Sequence, residues 1–213
     1  MSFTFLKNKI ENSYMSHNDM IFSTTGDGRL DSAESEASVI KHLEELFNKT
    51  GIEVCKPPQE RWWYDVLIRY NNQIFPINIK MTSGNSYDNV SSKLGMLYAL
   101  TGIWPEEITG LARWAKFNTI LTKNINPSLE TDYYFIIYFK NEEKFLFTSL
   151  KHIHILVANG NNLPFQCKWS DNYEFTNRSK EEQVYYLMNV YFNSWLKKTG
   201  GFEPLMEWKE KQK

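Results

Sequence analysis

The stretch that most constrains the fold is residues 62–80, WWYDVLIRYNNQIFPINIK, in which apolar and polar side chains alternate. A period of two predicts β-strands over 63–70 and 73–80. The dipeptide Asn71-Asn72 between them suits a tight turn, because Asn tolerates the positive φ that such turns need. The sequence therefore predicts a β-hairpin.

The alternation assigns the side chains of this hairpin to two faces. One face is apolar and belongs in a core; its members are Val66, Ile68, Phe75, Ile77 and Ile79. The other face carries Asp65 on the first strand and Asn78 and Lys80 on the second. A carboxylate, an amide and an amine are thus predicted to converge at one spot.

This arrangement resembles the catalytic hairpin of the PD-(D/E)XK nuclease superfamily, to which most type II restriction endonucleases belong. The matching residues are Tyr64-Asp65 and Asn78-Ile79-Lys80. Tyr64 stands where Pro is usual, and Asn78 stands where Asp or Glu is usual. The resemblance implies Mg²⁺-dependent hydrolysis of DNA that leaves 5′-phosphates. We expect Asp65 as the principal ligand of Mg²⁺, the Ile79 carbonyl as a second ligand, and Lys80 as the group that orients or deprotonates water.

A helix predicted over 31–50, with Asp31 or Ser32 as its N-cap, precedes the hairpin. Its apolar stripe, extended one turn towards the N-terminus, places Glu36 on or near the buried face. In the nuclease family a helix before the hairpin often supplies a glutamate to the metal site. The resemblance, which covers about 31–80, therefore implies Glu36 as a further ligand. The alternative is that Glu36 only complements the helix dipole from the first turn.

Asn78 is the departure that bears on chemistry, because an amide oxygen can coordinate Mg²⁺ but brings no negative charge. Three explanations stay open. The position is naturally Asn and Glu36 provides the missing carboxylate; or an Asp→Asn change has disabled the enzyme; or the protein has lost cleavage and kept binding. A reading without any nuclease is that Asp65 and Lys80 form a cross-strand ion pair only.

Polar side chains outside the hairpin are candidates for DNA contact. They occur in the loop after the hairpin, at the start of the next helix, and on a predicted strand over 163–169 with its polar tail. Such groups hydrogen-bond phosphates and base edges, although connectors and solvated strand edges show similar patterns. The candidates are Thr82, Ser83, Asn85, Ser91, Ser92, Lys93, Gln166, Lys168, Asn172 and Arg178.

The rest of the chain predicts further helices and strands. A nearly continuous apolar run at 132–139 predicts a buried central strand, with 144–148 pairing beside it. Ser179 with Glu182 three residues later predicts a capping box at the start of a long helix. The remaining predicted elements are helices over 2–14, 90–100 and 105–123, a strand over 52–56 and a short terminal helix after 204.

The order of these elements predicts the α/β (α+β) class, with a central mixed sheet flanked by helices and a restriction-endonuclease-like core. A chain of 213 residues suits one domain, 1–213. Within it we expect an N-terminal arm at 1–30, a catalytic core at 31–169 and a C-terminal helical part at 170–213.

Composition narrows the class of protein. The formal charge of −1 excludes a general basic coat for nucleic acid, so any polyanion site must be a local patch. Cys55 and Cys167 give neither a disulfide framework nor a metal-ligand spacing. The chain shows no signal peptide and no apolar run of about 18 residues, so we expect a soluble, cytoplasmic protein with no membrane partner.

Together these features lead us to expect a type II site-specific deoxyribonuclease that needs Mg²⁺. It would act as a homodimer on double-stranded DNA at a short palindromic site, because two-fold symmetry matches identical half-sites. Two alternatives stay open. One is a repair or junction-resolving nuclease of the same superfamily, and the other is a non-cleaving sequence-specific DNA-binding protein.

Overall fold

The computed structural model describes residues 2–15, 28–90, 92–161, 163–199 and 203–211. Its α-helices are α1 (Phe3–Met15), α2 (Gly28–Leu46), α3 (Lys93–Thr101), α4 (Trp114–Asn124), α5 (Lys180–Thr199) and α6 (Glu203–Glu210). Its strands are β1 (Glu53–Cys55), β2 (Val66–Tyr70), β3 (Gln73–Thr82), β4 (Asp88–Asn89), β5 (Tyr134–Phe139), β6 (Lys144–Ser149), β7 (Val157–Ala158) and β8 (Phe165–Cys167). In the part of the chain that the structure describes, none of the helices has the length and apolarity needed to cross a bilayer.

The main sheet has five strands in the order β1-β2-β3-β5-β6. The pairs β1–β2, β2–β3 and β5–β6 are antiparallel, whereas β3 and β5 are parallel. A parallel pair needs a crossover connection, which the segment between β3 and β5 provides. The mixed sheet flanked by helices confirms the predicted α+β class.

The predicted hairpin is formed by β2 and β3, with Val66 opposite Ile77 in the ladder. Its turn residues Asn71 and Asn72 have φ values of 46° and 63°, as a two-residue hairpin turn requires. The ladder begins at Val66, three residues later than predicted, and β3 continues two residues past Lys80.

The apolar face of the hairpin packs into a core with α1 and α2, as the alternation predicts. The core is a cluster of buried residues from both helices and from strands β2, β3, β5 and β6. Its members are Leu6, Ile10, Val39, Leu43, Phe47, Val66, Ile68, Phe75, Ile77, Ile79, Tyr134, Ile136 and Phe147. The opposite face of the hairpin carries Asn78 and Lys80, beside the buried pair Leu67 and Pro76.

Contacts within the chain divide it into two compact units. The sheet unit is Met1–Gly84 with Tyr134–Ser149, and the helical unit is Asn85–Tyr133 with Leu150–Lys213. The sheet unit holds the five-stranded sheet with α1 and α2, and the helical unit holds α3 to α6 with a small sheet of order β4-β8-β7. The single-domain assignment and its three parts stay predictions.

In the helical unit, α5 begins at the predicted capping box. The Ser179 N–H donates to Glu182 Oε2 at 2.7 Å, and the Glu182 N–H donates to Ser179 Oγ at 3.2 Å. The buried residues of this helix include Val184, Leu187, Met188, Tyr191 and Trp195. The predicted capping box is confirmed.

Two predicted helices differ from the observed ones. Helix α2 begins at Gly28, so Asp31 and Ser32 lie inside it and the N-cap prediction is wrong. Cap residues express a preference only, and they also occur within the first turns of helices. Residues 16–27 of the predicted N-terminal arm lie outside the described residues.

The helix predicted over 105–123 is divided into a short 3-10 helix, Pro105–Glu107, and α4. Gly110, with a φ of 75°, lies between the two. A left-handed residue ends regular helical hydrogen bonding, and Gly adopts this conformation without a steric penalty.

Gly95 in α3 allows a test of packing in the helical unit. A Cβ at this position would lie 2.9 Å from three ring carbons of Tyr133, which is itself buried. Gly→Ala in a helix ordinarily stabilises by about 0.5–1 kcal/mol. Here overpacking reverses the sign, and we expect Gly95→Ala to lower the free energy of unfolding by about 1–2 kcal/mol in urea denaturation.

The matched control removes the ring. In a Tyr133→Ala background, Gly95→Ala should be neutral or stabilising, because nothing then opposes the new methyl group. A gain of stability from Gly95→Ala in the parental protein would contradict this packing.

Candidate active site

Asp65 lies directly before β2, at the end of the hairpin ladder. Its N–H donates to the carbonyl of Ile77 at 2.9 Å, and Ile77 is also the residue opposite Val66, so the regular pairing ends at Val66. Val66, opposite Ile77, faces the core, and the Asp65 side chain contacts Asn78 on the other face of the hairpin. The apolar core fixes this register, since a slip by one residue would exchange the faces.

The Asp65 carboxylate is held by two donors from β3. Its Oδ2 accepts from Asn78 Nδ2 at 2.6 Å and from the Ile79 N–H at 2.7 Å. The predicted meeting of the acid with the amide is therefore observed. An Asp at position 78 would place a second carboxylate where Asn78 now donates, and this would be repulsive without a cation.

Burial dominates the electrostatics of Asp65 and raises its pKa from the ordinary value of 3.8 to about 6, while the Ile79 N–H lowers it. The Glu36 carboxylate raises the pKa further, and the Lys80 ammonium lowers it. A carboxylate that titrates close to neutrality in a desolvated position binds a proton or a cation readily.

Lys80 lies on the same face as Asn78, two residues along β3, and is opposite Ile137 of β5. It is half-buried and acts on Asp65 through its charge. The close contacts of the Asp65 carboxylate are with Asn78 and Ile79, and Asp65 and Lys80 form no direct ion pair. The reading as a plain cross-strand ion pair is therefore wrong.

Asn78 leaves one atom unsatisfied. Its Nδ2 donates to Asp65, whereas its Oδ1 is buried and has no hydrogen-bond partner within the described ranges. A buried acceptor without a partner costs about 1–3 kcal/mol. This oxygen is thus available to a water molecule or to a cation.

Glu36 lies half-buried on α2, eight residues after the first residue of the helix. The helix-dipole reading required a place in the first turn and is wrong, because that effect fades within one turn. Glu36 and Asp65 line the same groove, and Glu36 acts on the pKa of Asp65. The structure brings together all the residues for which the sequence predicted a catalytic role.

The oxygens at this site fit a hard divalent cation. They are the carboxylates of Asp65 and Glu36, Oδ1 of Asn78 and the Ile79 carbonyl. The carbonyl leaves β3 on the side of its own N–H, which faces Asp65. Mg²⁺ is commonly held by one or two carboxylates together with water and phosphate. No cluster of three or more His, Cys, Asp and Glu side chains suited to a metal occurs among the residues described, so Asn78 and the carbonyl would complete the set.

The predicted DNA contacts near the hairpin have different surroundings. Ser83 and Asn85 are exposed. Thr82 is 4% exposed and its Oγ1 accepts from the Gly84 N–H at 2.9 Å, so this side chain holds a turn instead of facing a ligand. Ser91 lies outside the described residues.

At the start of α3, Ser92 and Lys93 have internal partners. Ser92 is the N-cap and its Oγ accepts from the Gly95 N–H at 3.4 Å. Lys93 Nζ donates to the Ala112 carbonyl at 3.1 Å and lies 4.3 Å from the ring centroid of Trp114. Burial lowers the pKa of Lys93, as does the charge of Lys198.

The strand predicted over 163–169 is observed only as β8, in which Gln166 is partly exposed while Phe165 and Cys167 are buried. Lys168 follows β8 directly and is also partly exposed. Lys168 Nζ lies 5.2 Å from the ring centroid of Tyr87. Both Gln166 and Lys168 keep accessible polar groups.

The prediction that Asn172 contacts DNA is wrong. It is 2% exposed, and its Oδ1 accepts from the His154 and Ile155 N–H groups while its Nδ2 donates to the Ile155 and Lys168 carbonyls. Its amide is fully used by the backbone, so it cannot contact DNA. Arg178 also has internal partners, since its Nη1 donates to the His154 carbonyl and its guanidinium lies 3.8 Å from the ring centroid of Tyr186.

The segment between β1 and β2 was not predicted to take part in the site. Lys56, Gln59, Arg61 and Trp62 border the groove beside Asp65. The available signal was a cation and an aromatic residue three to four positions before the candidate ligand, but such pairs are common in loops.

No family model matches the chain, and no curated protein matches it. We therefore infer function from the geometry and electrostatics around Asp65.

The raised pKa of Asp65 predicts a pH-dependent cost to the ion-free protein. The folded pKa, about 6, exceeds the unfolded value of 3.8. The cost is therefore absent below about pH 4, where both states are protonated, and complete above about pH 6. We expect Asp65→Asn to raise the free energy of unfolding by about 2–3 kcal/mol at pH 7.5 in EDTA, and the gain to vanish near pH 4.

The control is Asp171→Asn, a change at an exposed aspartate. We expect it to change the free energy of unfolding by less than about 0.5 kcal/mol at either pH. Denaturation curves at the two pH values measure both variants. Equal destabilisation by Asp65→Asn at both pH values would show that burial does not penalise the Asp65 charge.

Proposed function

We propose that this protein is a Mg²⁺-dependent nuclease of the PD-(D/E)XK type that hydrolyses double-stranded DNA. The observation that carries the proposal is the desolvated Asp65 carboxylate beside the unsatisfied Oδ1 of Asn78, with Lys80 on the same face. Oxygen ligands, a carboxylate with a pKa near neutrality and an amine are the groups that phosphodiester hydrolysis needs.

The reaction adds the oxygen of water to phosphorus and breaks the bond to the 3′ oxygen, which leaves a 5′-phosphate and a 3′-hydroxyl group. A bound Mg²⁺ would supply a Lewis acid at the phosphate. Asp65, Asn78 Oδ1 and the Ile79 carbonyl would hold it, and Glu36 would supply further negative charge. Lys80 would orient or deprotonate the attacking water and offset charge on the phosphate.

Glu36 favours the first of the three explanations for Asn78. Its carboxylate acts on Asp65 from α2, so a second negative charge is present although position 78 is neutral. Asn78 would contribute an uncharged oxygen, for which its amide must turn from the orientation in which Nδ2 faces Asp65. An uncharged ligand predicts weaker binding of Mg²⁺ than a carboxylate would give.

The finer proposal is a type II restriction endonuclease that acts in the cytoplasm as a homodimer on a short palindromic site. The near-neutral charge of the chain supports a discriminating enzyme rather than a general DNA coat. Ser83, Asn85, Gln166 and Lys168 are the candidate contacts that remain accessible.

A second candidate is a non-cleaving, sequence-specific DNA-binding protein. The hydrogen bond from Asn78 to Asp65 favours it, because this bond stabilises the ion-free site without a metal. Incubation with a plasmid of known sequence in Mg²⁺ separates the two. Discrete fragments with 5′-phosphates support the restriction enzyme, and sequence-specific binding without cutting supports the second candidate.

Asp65→Ala and Lys80→Ala should each lower the cutting rate by about 10²–10⁴-fold, because each removes a ligand or a proton-transfer group. Affinity for DNA in Ca²⁺ should remain close to parental. The matched controls Asp171→Ala and Lys140→Ala, at exposed positions, should cut at the parental rate. Cutting by Asp65→Ala or Lys80→Ala at near the parental rate would refute the site assignment.

Glu36→Gln and Asn78→Asp distinguish the explanations for Asn78. If Glu36 provides the missing carboxylate, Glu36→Gln abolishes cutting by the parental protein, and Asn78→Asp lowers the Mg²⁺ concentration that cutting requires. If the amide is a disabling change, the parental protein does not cut and Asn78→Asp creates activity. Cutting rates over a Mg²⁺ titration measure both variants.

A further inference from the structure

A groove of about 540 Å³ in the sheet unit leads to Asp65, and we call it the α2 groove. One wall is α2, with Glu36 and Ala37, and the other is the segment between β1 and β2, with Arg61 and Trp62. Its volume is within the range of about 300–1,000 Å³ that is common for ligand clefts. A ligand in this groove would lie beside the proposed cation site.

The two cationic side chains of the α2 groove differ in whether a carboxylate already pairs with them. Lys56 Nζ lies 3.2 Å from Glu44 Oε1, so these two side chains form an ion pair. Arg61 is exposed, and no hydrogen bond or ion pair to another described residue engages its guanidinium. The groove therefore presents one uncommitted guanidinium, a group whose planar donors match a phosphate.

The backbone at Arg61 is unfavourable for arginine. Its φ of 56° lies in the left-handed region, which Gly adopts without steric penalty and which other residues adopt at a cost. Lys49 and Glu143 also have positive φ, but neither lines the α2 groove. A Gly at position 61 would suit the fold better, so the arginine side chain serves something other than the fold.

The charge balance of the α2 groove determines whether an anion can bind in it. Three carboxylates line it, those of Glu36, Glu60 and Asp65, against the two cations Lys56 and Arg61. Without a metal ion the carboxylates outnumber the cations and repel a phosphate. Because Lys56 is paired with Glu44, a divalent cation beside Asp65 cancels the remaining excess of negative charge, and the Arg61 guanidinium can then attract a phosphate.

We propose that Arg61 binds a backbone phosphate of DNA adjacent to the one that is cut, and that Trp62 packs against the adjoining nucleotide. This inference rests on the proposed function and adds to it a substrate-positioning element, the segment between β1 and β2. Arg61 is a positioning residue: it fixes the strand relative to Asp65 and takes no part in bond cleavage. Its contribution depends on the divalent cation.

The first experiment compares Arg61→Gln with Lys56→Gln, two changes that remove one positive charge each from the same groove. The probe is a short labelled duplex spanning a position that the parental protein cuts, and anisotropy measures binding in Ca²⁺ at several salt concentrations. Arg61→Gln should weaken binding at least about tenfold and reduce the slope of log K against log salt by about 1. Lys56→Gln should weaken binding less than about threefold, because Lys56 is paired with Glu44.

The same measurement in EDTA tests the dependence on the cation. In EDTA the DNA affinities of the parental protein and Arg61→Gln should differ by less than about twofold, because the carboxylates of the groove then repel the phosphate. A difference that persists undiminished in EDTA would overturn the role assigned to the cation, and equal binding by Arg61→Gln and the parental protein in Ca²⁺ would overturn the proposal.

Two further variants separate a binding role from a structural one. Arg61→Gly should match or exceed the parental protein in stability and still lose affinity like Arg61→Gln, whereas Arg61→Lys should recover part of the affinity. A loss of stability in Arg61→Gly that accounts for its loss of binding would overturn the proposal. If the parental protein cuts DNA while Arg61→Gln binds normally, only this inference fails; if the parental protein neither binds nor cuts DNA, the proposed function fails as well.

Discussion

The register of β2 against β3 is the constraint on which the rest of the structure depends. Val66 and Ile77 face each other with their side chains in the core under α1 and α2. The same register forces Asp65 and Asn78 together on the opposite face. Hydrophobic burial on one side of the hairpin thus positions the chemistry on the other, because a one-residue slip would bury the polar residues and expose the core.

Two features of the site lower the stability of the ion-free protein. Asp65 is desolvated with a raised pKa, and Asn78 Oδ1 is buried without a partner in the described part of the chain. Both features disfavour the ion-free state, and a cation between them would relieve both. Local rules that are broken at one place and kept elsewhere are typical of a binding or catalytic site.

Much of this arrangement could be predicted from the sequence, because it depends on local patterns. Alternation gave the faces of the hairpin, Asn71-Asn72 gave its turn, and Ser179 with Glu182 gave the start of α5. These signals act over a few residues and leave little choice to the chain. The α+β class followed from the order of the elements.

The rest depends on tertiary contacts that no local pattern reports. Asn172 looked like a surface residue, yet its amide is fully used by backbone groups of residues distant in sequence. The backbone conformation of Arg61 and its place beside Asp65 likewise appear only in the folded chain.

The most direct test of the cation site is the titration of the Asp65 carboxyl carbon by NMR, with and without Mg²⁺. We expect a midpoint near pH 6 in EDTA that falls when Mg²⁺ is added. A midpoint that saturating Mg²⁺ leaves unchanged would contradict a cation site at Asp65.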